Sequence, residues 1–284
     1  MTTPPTPQAP YQQQNRQDAS AAPYASPIPL RRATLGDALA SEWTKIRSVR
    51  STMWTLGVMI VLLLGLGLLV AVVMNATNTD IGDVPVLSFG FFGVLLGSIC
   101  VITLGVMTIA SEYGTGMIRT TLTACPSRAR VLTAKAIVFF LLTFVITTVT
   151  AALVGALQTA ILGGEAPTGA EWLLATVGVG LYIAALGLLS LAVGALIRHS
   201  AGAITIMIGV VLLPLVLAMF MFAESLGDLR KALFEYSIPS QLSVFYDTSV
   251  TGSGPSGWEP LWIMLGVAGV ALIGAYLALE NRDV

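Results

Sequence analysis

The sequence predicts an all-α polytopic membrane protein: six transmembrane helices with an N-terminal interfacial helix. Three observations carry that expectation. First, six stretches hold no Asp, Glu, Lys or Arg: 51–79, 84–111, 136–164, 172–197, 199–223 and 260–279. The shortest is 20 residues, and about 20 apolar helical residues cross a hydrocarbon layer about 30 Å thick. Second, the stretches are continuously apolar, whereas membrane strands are about 9–11 residues long and alternate. Third, Lys and Arg are distributed unevenly among the connections, which sets an orientation. These features exclude a water-soluble fold. With two cysteines, Cys100 in a span and Cys125 in a loop, they also exclude a disulfide-stapled secreted domain.

Residues 1–33 are read as a disordered Pro/Gln/Ala-rich cytoplasmic tail, because such a composition buries too little apolar surface to offset its ordering entropy. Residues 34–284 form the membrane domain. At its start, Thr34 and Asp37 have capping-box spacing. Leu35, Leu39, Trp43 and Ile46 then recur at helical intervals, with Asp37, Ser41, Thr44, Lys45 and Arg47 on the other face. This predicts an amphipathic helix in the membrane interface, with Trp43 at headgroup depth and Lys45 and Arg47 beside it. The first span is expected over Met53–Met74 and the second over Val86–Ala110. A polar segment, 111–135, leads to the third at Ala136–Leu162. The fourth, Trp172–Ile197, turns tightly through Arg198-His199-Ser200 into the fifth, Ala201–Phe222. A longer connection, 223–260, precedes the last, Leu261–Leu279. Pro214 should kink the fifth span. The pair Gly93 and Gly97 marks a close-packing face, either within the bundle or toward a second copy.

With the N-terminus in the cytoplasm, the inner segments hold twelve Lys and Arg, from Arg16 to Arg282, and the outer segments only Arg230 and Lys231. The positive-inside rule therefore puts both termini in the cytoplasm of a multi-pass plasma-membrane protein.

The absences narrow the chemistry. No span carries an ionisable group away from its ends, as an ion-coupled pathway would. The lone histidine, His199, has no nucleophile-and-orienter set around it, so no catalytic residue and no metal ligand is assigned. No Gly-x-x-x-x-Gly-Lys-Ser/Thr loop occurs, and no basic run points to nucleic acid. No cofactor is expected. These absences name no function, and leave an ATP-independent scaffold or signalling module open.

The segment 111–135 is the most informative. Tyr113, Met117, Ile118, Thr121, Leu122 and Cys125 fall on one helical face, Arg119 lies apart, and Pro126 ends the helix. On spacing alone it is equally a docking helix or a basic anchor between two spans. Its residues Glu112, Tyr113, Gly116, Ile118, Arg119, Leu122, Pro126, Arg128, Arg130, Ala134 and Lys135 resemble the corresponding loop of type-two ATP-binding-cassette (ABC) transporter permeases of actinobacterial style. Ser41-Glu42-Trp43-Thr44-Lys45-Ile46-Arg47-Ser48 is similar to that family's interfacial helix, Tyr236-Ser237-Ile238-Pro239-Ser240 to its outer loop, and Asn281–Val284 to its tail. The resemblance implies the non-catalytic permease subunit of an exporter. It further implies a two-fold dimer, a separate ATPase subunit, and surface or re-entrant helices over 224–246. It assigns ATPase coupling to Glu112, Tyr113, Gly116, Ile118, Arg119, Leu122, Pro126 and Arg128. The apolar face of 112–124 is expected to seat in a groove of the ATPase, with Glu112 and Arg119 pairing with charges of that groove or of the neighbouring inner surface. An apolar dimer interface would suit a lipophilic substrate.

Overall fold

The computed structural model describes residues 33–78, 82, 84–163, 166–248 and 253–281. The tail assigned to residues 1–33 lies outside them except for Ala33, as do the last three residues of the chain. The described residues from Ala33 onward belong to a single compact unit.

Helix α1 is Leu35–Ser48. Thr34 caps it as expected: the Thr34 hydroxyl accepts from the Asp37 amide, and the Asp37 carboxylate accepts from the Thr34 amide at 2.8 Å. One extended residue, Val49 (φ −84°, ψ 111°), separates it from α2, Arg50–Ala76. A 3-10 turn, Val86–Gly90, leads into α3, Phe91–Thr115. The short α4, Met117–Ala124, is followed by α5, Arg128–Leu162. Helix α6, Gly169–Leu173, continues through a π turn, Leu174–Gly178, into α7, Val179–Ile197. Helix α8 is Ser200–Phe220 and stays helical through Pro214. Two short helices, α9 (Gly227–Glu235) and α10 (Ile238–Val244), precede α11, Glu259–Asn281.

Among the described residues six helices are long and apolar enough to cross a membrane, and they coincide with the six expected spans. The third is longer than its apolar run. It starts at Arg128 rather than Ala136, because the Ser127 hydroxyl accepts from the Arg130 amide and its basic residues find partners inside the protein. A charge-free stretch marks only the part of a helix that lipid can surround.

Helix α7 is the axis of the bundle and packs against α3, α5, α8 and α11. Tyr182, Ile183, Leu186 and Leu191 on it are fully enclosed. Its approach to α3 is set by small residues: a Cβ on Gly105 would stand 2.6 Å from the Gly187 carbonyl oxygen. Backbone cannot yield as a side-chain tip can, so Gly105→Leu must push the two helices apart. Overpacking typically costs about 1–3 kcal/mol. The expected result is a lower unfolding midpoint in detergent, followed by tryptophan fluorescence, whereas Gly266→Leu, whose Cβ meets nothing within 4 Å, leaves it unchanged. The Gly93 and Gly97 face is used inside the chain, against Leu63 of α2.

The connection 223–260 holds the two short helices. Helix α10 turns back into the bundle, burying Ile238, Pro239, Gln241 and Leu242. Phe245 just after it packs on Tyr182 (centroids 5.5 Å apart), and Tyr246 on Phe91. Beside it, near the starts of α3 and α6, opens a cleft of about 780 Å³ lined by Pro85, Glu171, Leu174 and Phe245 among others.

Candidate functional site

At the opposite end, where α3 finishes and α5 begins, four charged side chains close a ring. Lys135 of α5 donates to Glu42 of α1 at 2.8 Å and to Glu112 of α3 at 2.6 Å. Lys45 of α1 donates to the same two carboxylates at 2.8 and 2.9 Å. Charges alternate around the ring and cancel. Glu42, Glu112 and Lys135 are buried, Lys135 completely, while the Lys45 side chain keeps about a quarter of its exposure. Lys45 also reaches the Thr121 hydroxyl of α4 at 3.3 Å, and Lys135 the Thr108 carbonyl of α3 at 3.3 Å. The ring thus ties α1, α3, α4 and α5 together. Burial alone would lower the Lys45 pKa; the hydrogen bonds to Glu42 and Glu112 outweigh it and raise the pKa above the usual lysine value. Lys45 therefore stays charged through neutral pH.

Local sequence explains how each member arrives. Glu42 lies three residues after Leu39 and four before Ile46, so it shares the face that α1 turns to the bundle. Lys135 stands between buried Ala134 and Phe139 on the inner face of α5. Glu112 sits in the last turn of α3, just before the helix is broken.

The break is Gly116, with φ 72° and ψ 2°, a left-handed conformation that costs other residues roughly 1–2 kcal/mol. It separates α3 from α4, so the expected single helix over 112–124 is two helices. A Cβ at Gly116 would meet nothing within 4 Å. Most of the apolar stripe of α4 faces inward, contrary to expectation: Ile118 and Cys125 are buried and Leu122 is half-buried, while Met117 stays exposed. Periodicity showed that a stripe exists but not what covers it, and the protein's own bundle does. The face left open carries Met117, Arg119, Thr120 and Thr123. Glu112 is committed to the ring and is not free to pair outside the chain.

The other singled-out residues brace this end. The Arg198 guanidinium lies over the Tyr113 ring, 4.9 Å from its centroid. Arg128 donates to the Leu279 carbonyl at the end of α11, and Arg130 to the Ala33 carbonyl at 2.6 Å. Exposed Pro126 lies between α4 and α5. Trp43 and Arg47 are exposed on α1. Sequence reasoning assigned no role to Arg198, and met Glu42 and Lys135 only within the resemblance, without a site role. A charge embedded in the apolar repeat of α1 was the available signal for Glu42.

Among the described residues no cluster of His, Cys, Asp or Glu could hold a metal ion. The arrangement is a neutral, largely buried clasp of four charges under a short helix with one mostly polar face exposed. No curated protein matches the chain. A family model described as "ABC-2 family transporter protein" matches residues 38–222, from α1 through all of α8, and so includes every member of the ring. With its six membrane-crossing helices, the chain belongs to the ABC-2 transporter family and is a membrane permease component of an ABC transporter.

Proposed function

We propose that the protein is the permease of an exporter in the plasma membrane, driven by ATP that a separate ABC ATPase subunit hydrolyses. The observation that carries the reading is the joint at Gly116. Helix α4 hangs on a glycine joint, exposes Met117, Arg119, Thr120 and Thr123, and is tied through Thr121 and Lys45 to α1 and to the last turn of α3. A push on α4 would therefore move α1, α3 and α5 as a group. Gly116, Ile118, Arg119 and Leu122 form the coupling element in this reading. Glu112, Tyr113, Pro126 and Arg128 position it from behind. Two copies of the chain assemble around an apolar pathway that suits a lipophilic substrate.

The test is purification of the tagged full chain in mild detergent, together with the proteins encoded beside it. A subunit with the Gly-x-x-x-x-Gly-Lys-Ser/Thr loop should co-purify. Recovery of the chain without any such subunit would favour an ATP-independent scaffold.

The reading also requires the α4 end to face the cytoplasm, as the distribution of Lys and Arg demands. In a chain freed of Cys100 and Cys125, Ala166→Cys and Ala223→Cys should react with a membrane-impermeant thiol reagent on intact cells. Ala124→Cys should react only after lysis. All three positions are exposed, so the opposite pattern would invert the protein and remove α4 from the ATPase.

A further inference from the structure

We propose that the elbow between α1 and α2 is a binding site for an anionic phospholipid, with Arg47 and Arg50 holding the headgroup phosphate. This deepens the membrane reading above but does not depend on the ATPase. The elbow reads Trp43-Thr44-Lys45-Ile46-Arg47-Ser48-Val49-Arg50-Ser51-Thr52-Met53-Trp54, a Trp-x-x-x-Arg pair followed by its mirror image, Arg-x-x-x-Trp. Residues four apart share a helix face. Trp43 and Arg47 therefore lie together on α1, and Arg50 and Trp54 together at the head of α2.

All four side chains are exposed, Trp54 to 76% and Trp43 to 45%. On α1 the Trp43–Arg47 pair runs along the seam between the packed residues Leu39, Glu42 and Ile46 and the polar residues Ser41, Thr44 and Ser48. That seam is where headgroups meet a helix lying in the interface. On α2, Arg50 and Trp54 head the outward stripe that continues through Val58 and Val61, while Leu56, Met59 and Leu63 pack inward. A phosphate at the two guanidiniums would place its acyl chains along that stripe. Among the described residues neither arginine has an ion pair, unlike Lys45, which the ring consumes. Two arginines beside two exposed tryptophans, above a lipid-facing apolar stripe, match an anionic lipid better than a protein groove. Tryptophan favours headgroup depth, and basic side chains near a membrane surface attract anionic lipids.

The experiment uses the full chain in detergent and native mass spectrometry, titrating phosphatidylglycerol and phosphatidylcholine of identical acyl chains. The wild type should retain phosphatidylglycerol in preference. Arg47→Gln/Arg50→Gln should reduce that preference about tenfold, while Arg119→Gln, equally exposed at the same end, leaves it unchanged. Wild-type protein that holds the two lipids equally would overturn the site, whatever the variants do. So would an equal loss in the Arg119 variant, which would make the preference a property of general charge. ATPase co-purification is followed in parallel. If the double variant loses the ATPase and keeps the lipid, the elbow is a protein interface and the proposal fails. If no variant ever recovers an ATPase, the transporter reading fails while the lipid result stands by itself.

Discussion

Lys135→Met should be among the most destabilising single substitutions in the protein, by about 3–5 kcal/mol. Lys135 is fully enclosed, and among the described residues its ammonium is the only cation that touches Glu42 Oε2. Without it, two buried carboxylates share the single charge of Lys45, and a net negative charge is left inside. Burying an unpaired charge is far costlier than losing a neutral contact. Lys45→Met is expected to cost less, because water reaches that side chain and can compensate. Glu42→Gln/Lys135→Met restores neutrality, leaving the Lys45–Glu112 pair of 2.9 Å, and should recover most of the lost stability. These values are readable from unfolding by sodium dodecyl sulfate in mixed micelles. If Lys135→Met unfolded within about 0.5 kcal/mol of wild type, the ring would contribute nothing, and the joint would have to be held by packing alone.

The ring also shows what the sequence could and could not convey. Membrane spans are legible because hydropathy and charge act residue by residue, and the six apolar stretches mark all six long helices. The capping box at Thr34 and Asp37 is legible for the same reason, being local. Glu42 and Lys45 are local neighbours on α1, but their contacts with Glu112 and Lys135, and the Lys135–Glu112 contact, span 23 to 93 residues, and no local period encodes such a meeting. Only the placement of Glu42 between Leu39 and Ile46 announces that a charge enters the interior. The orientation of α4 was illegible for a related reason. An apolar stripe needs a cover, but the cover can be the chain's own bundle or a partner. Here Ile118 and Cys125 take the first, which leaves Met117, Arg119, Thr120 and Thr123 on the open face.

Gly116→Trp and Arg119→Glu are expected to cut ATPase association at least tenfold, about 1.4 kcal/mol, with expression and membrane insertion near normal. The reasoning differs for each. A Cβ at Gly116 meets nothing within 4 Å in the chain itself, so an indole there starts into open space and is expected to obstruct a partner. Its φ of 72° adds backbone strain, which Gly116→Ala shares without the bulk. The alanine variant therefore separates strain from obstruction, and should keep most of the association. Arg119 is exposed on the open face of α4. Reversing its charge leaves the ring and the packed stripe untouched while opposing whatever complements it. Truncating one member of a desolvated interfacial pair typically costs about 2–5 kcal/mol.

In the proposed exporter, α4 is the surface on which the ATPase acts. The most direct measurement is the amount of ATPase recovered per tagged permease for wild type, Gly116→Trp, Arg119→Glu and Arg130→Glu. Arg130 lies in the same segment and is directed to the Ala33 carbonyl, so its reversal controls for charge in the loop. Equal recovery for wild type and Arg130→Glu, with at least a tenfold fall for the other two, is the predicted result. Equal recovery for all four would contradict the account and reduce α4 to an anchor between two spans.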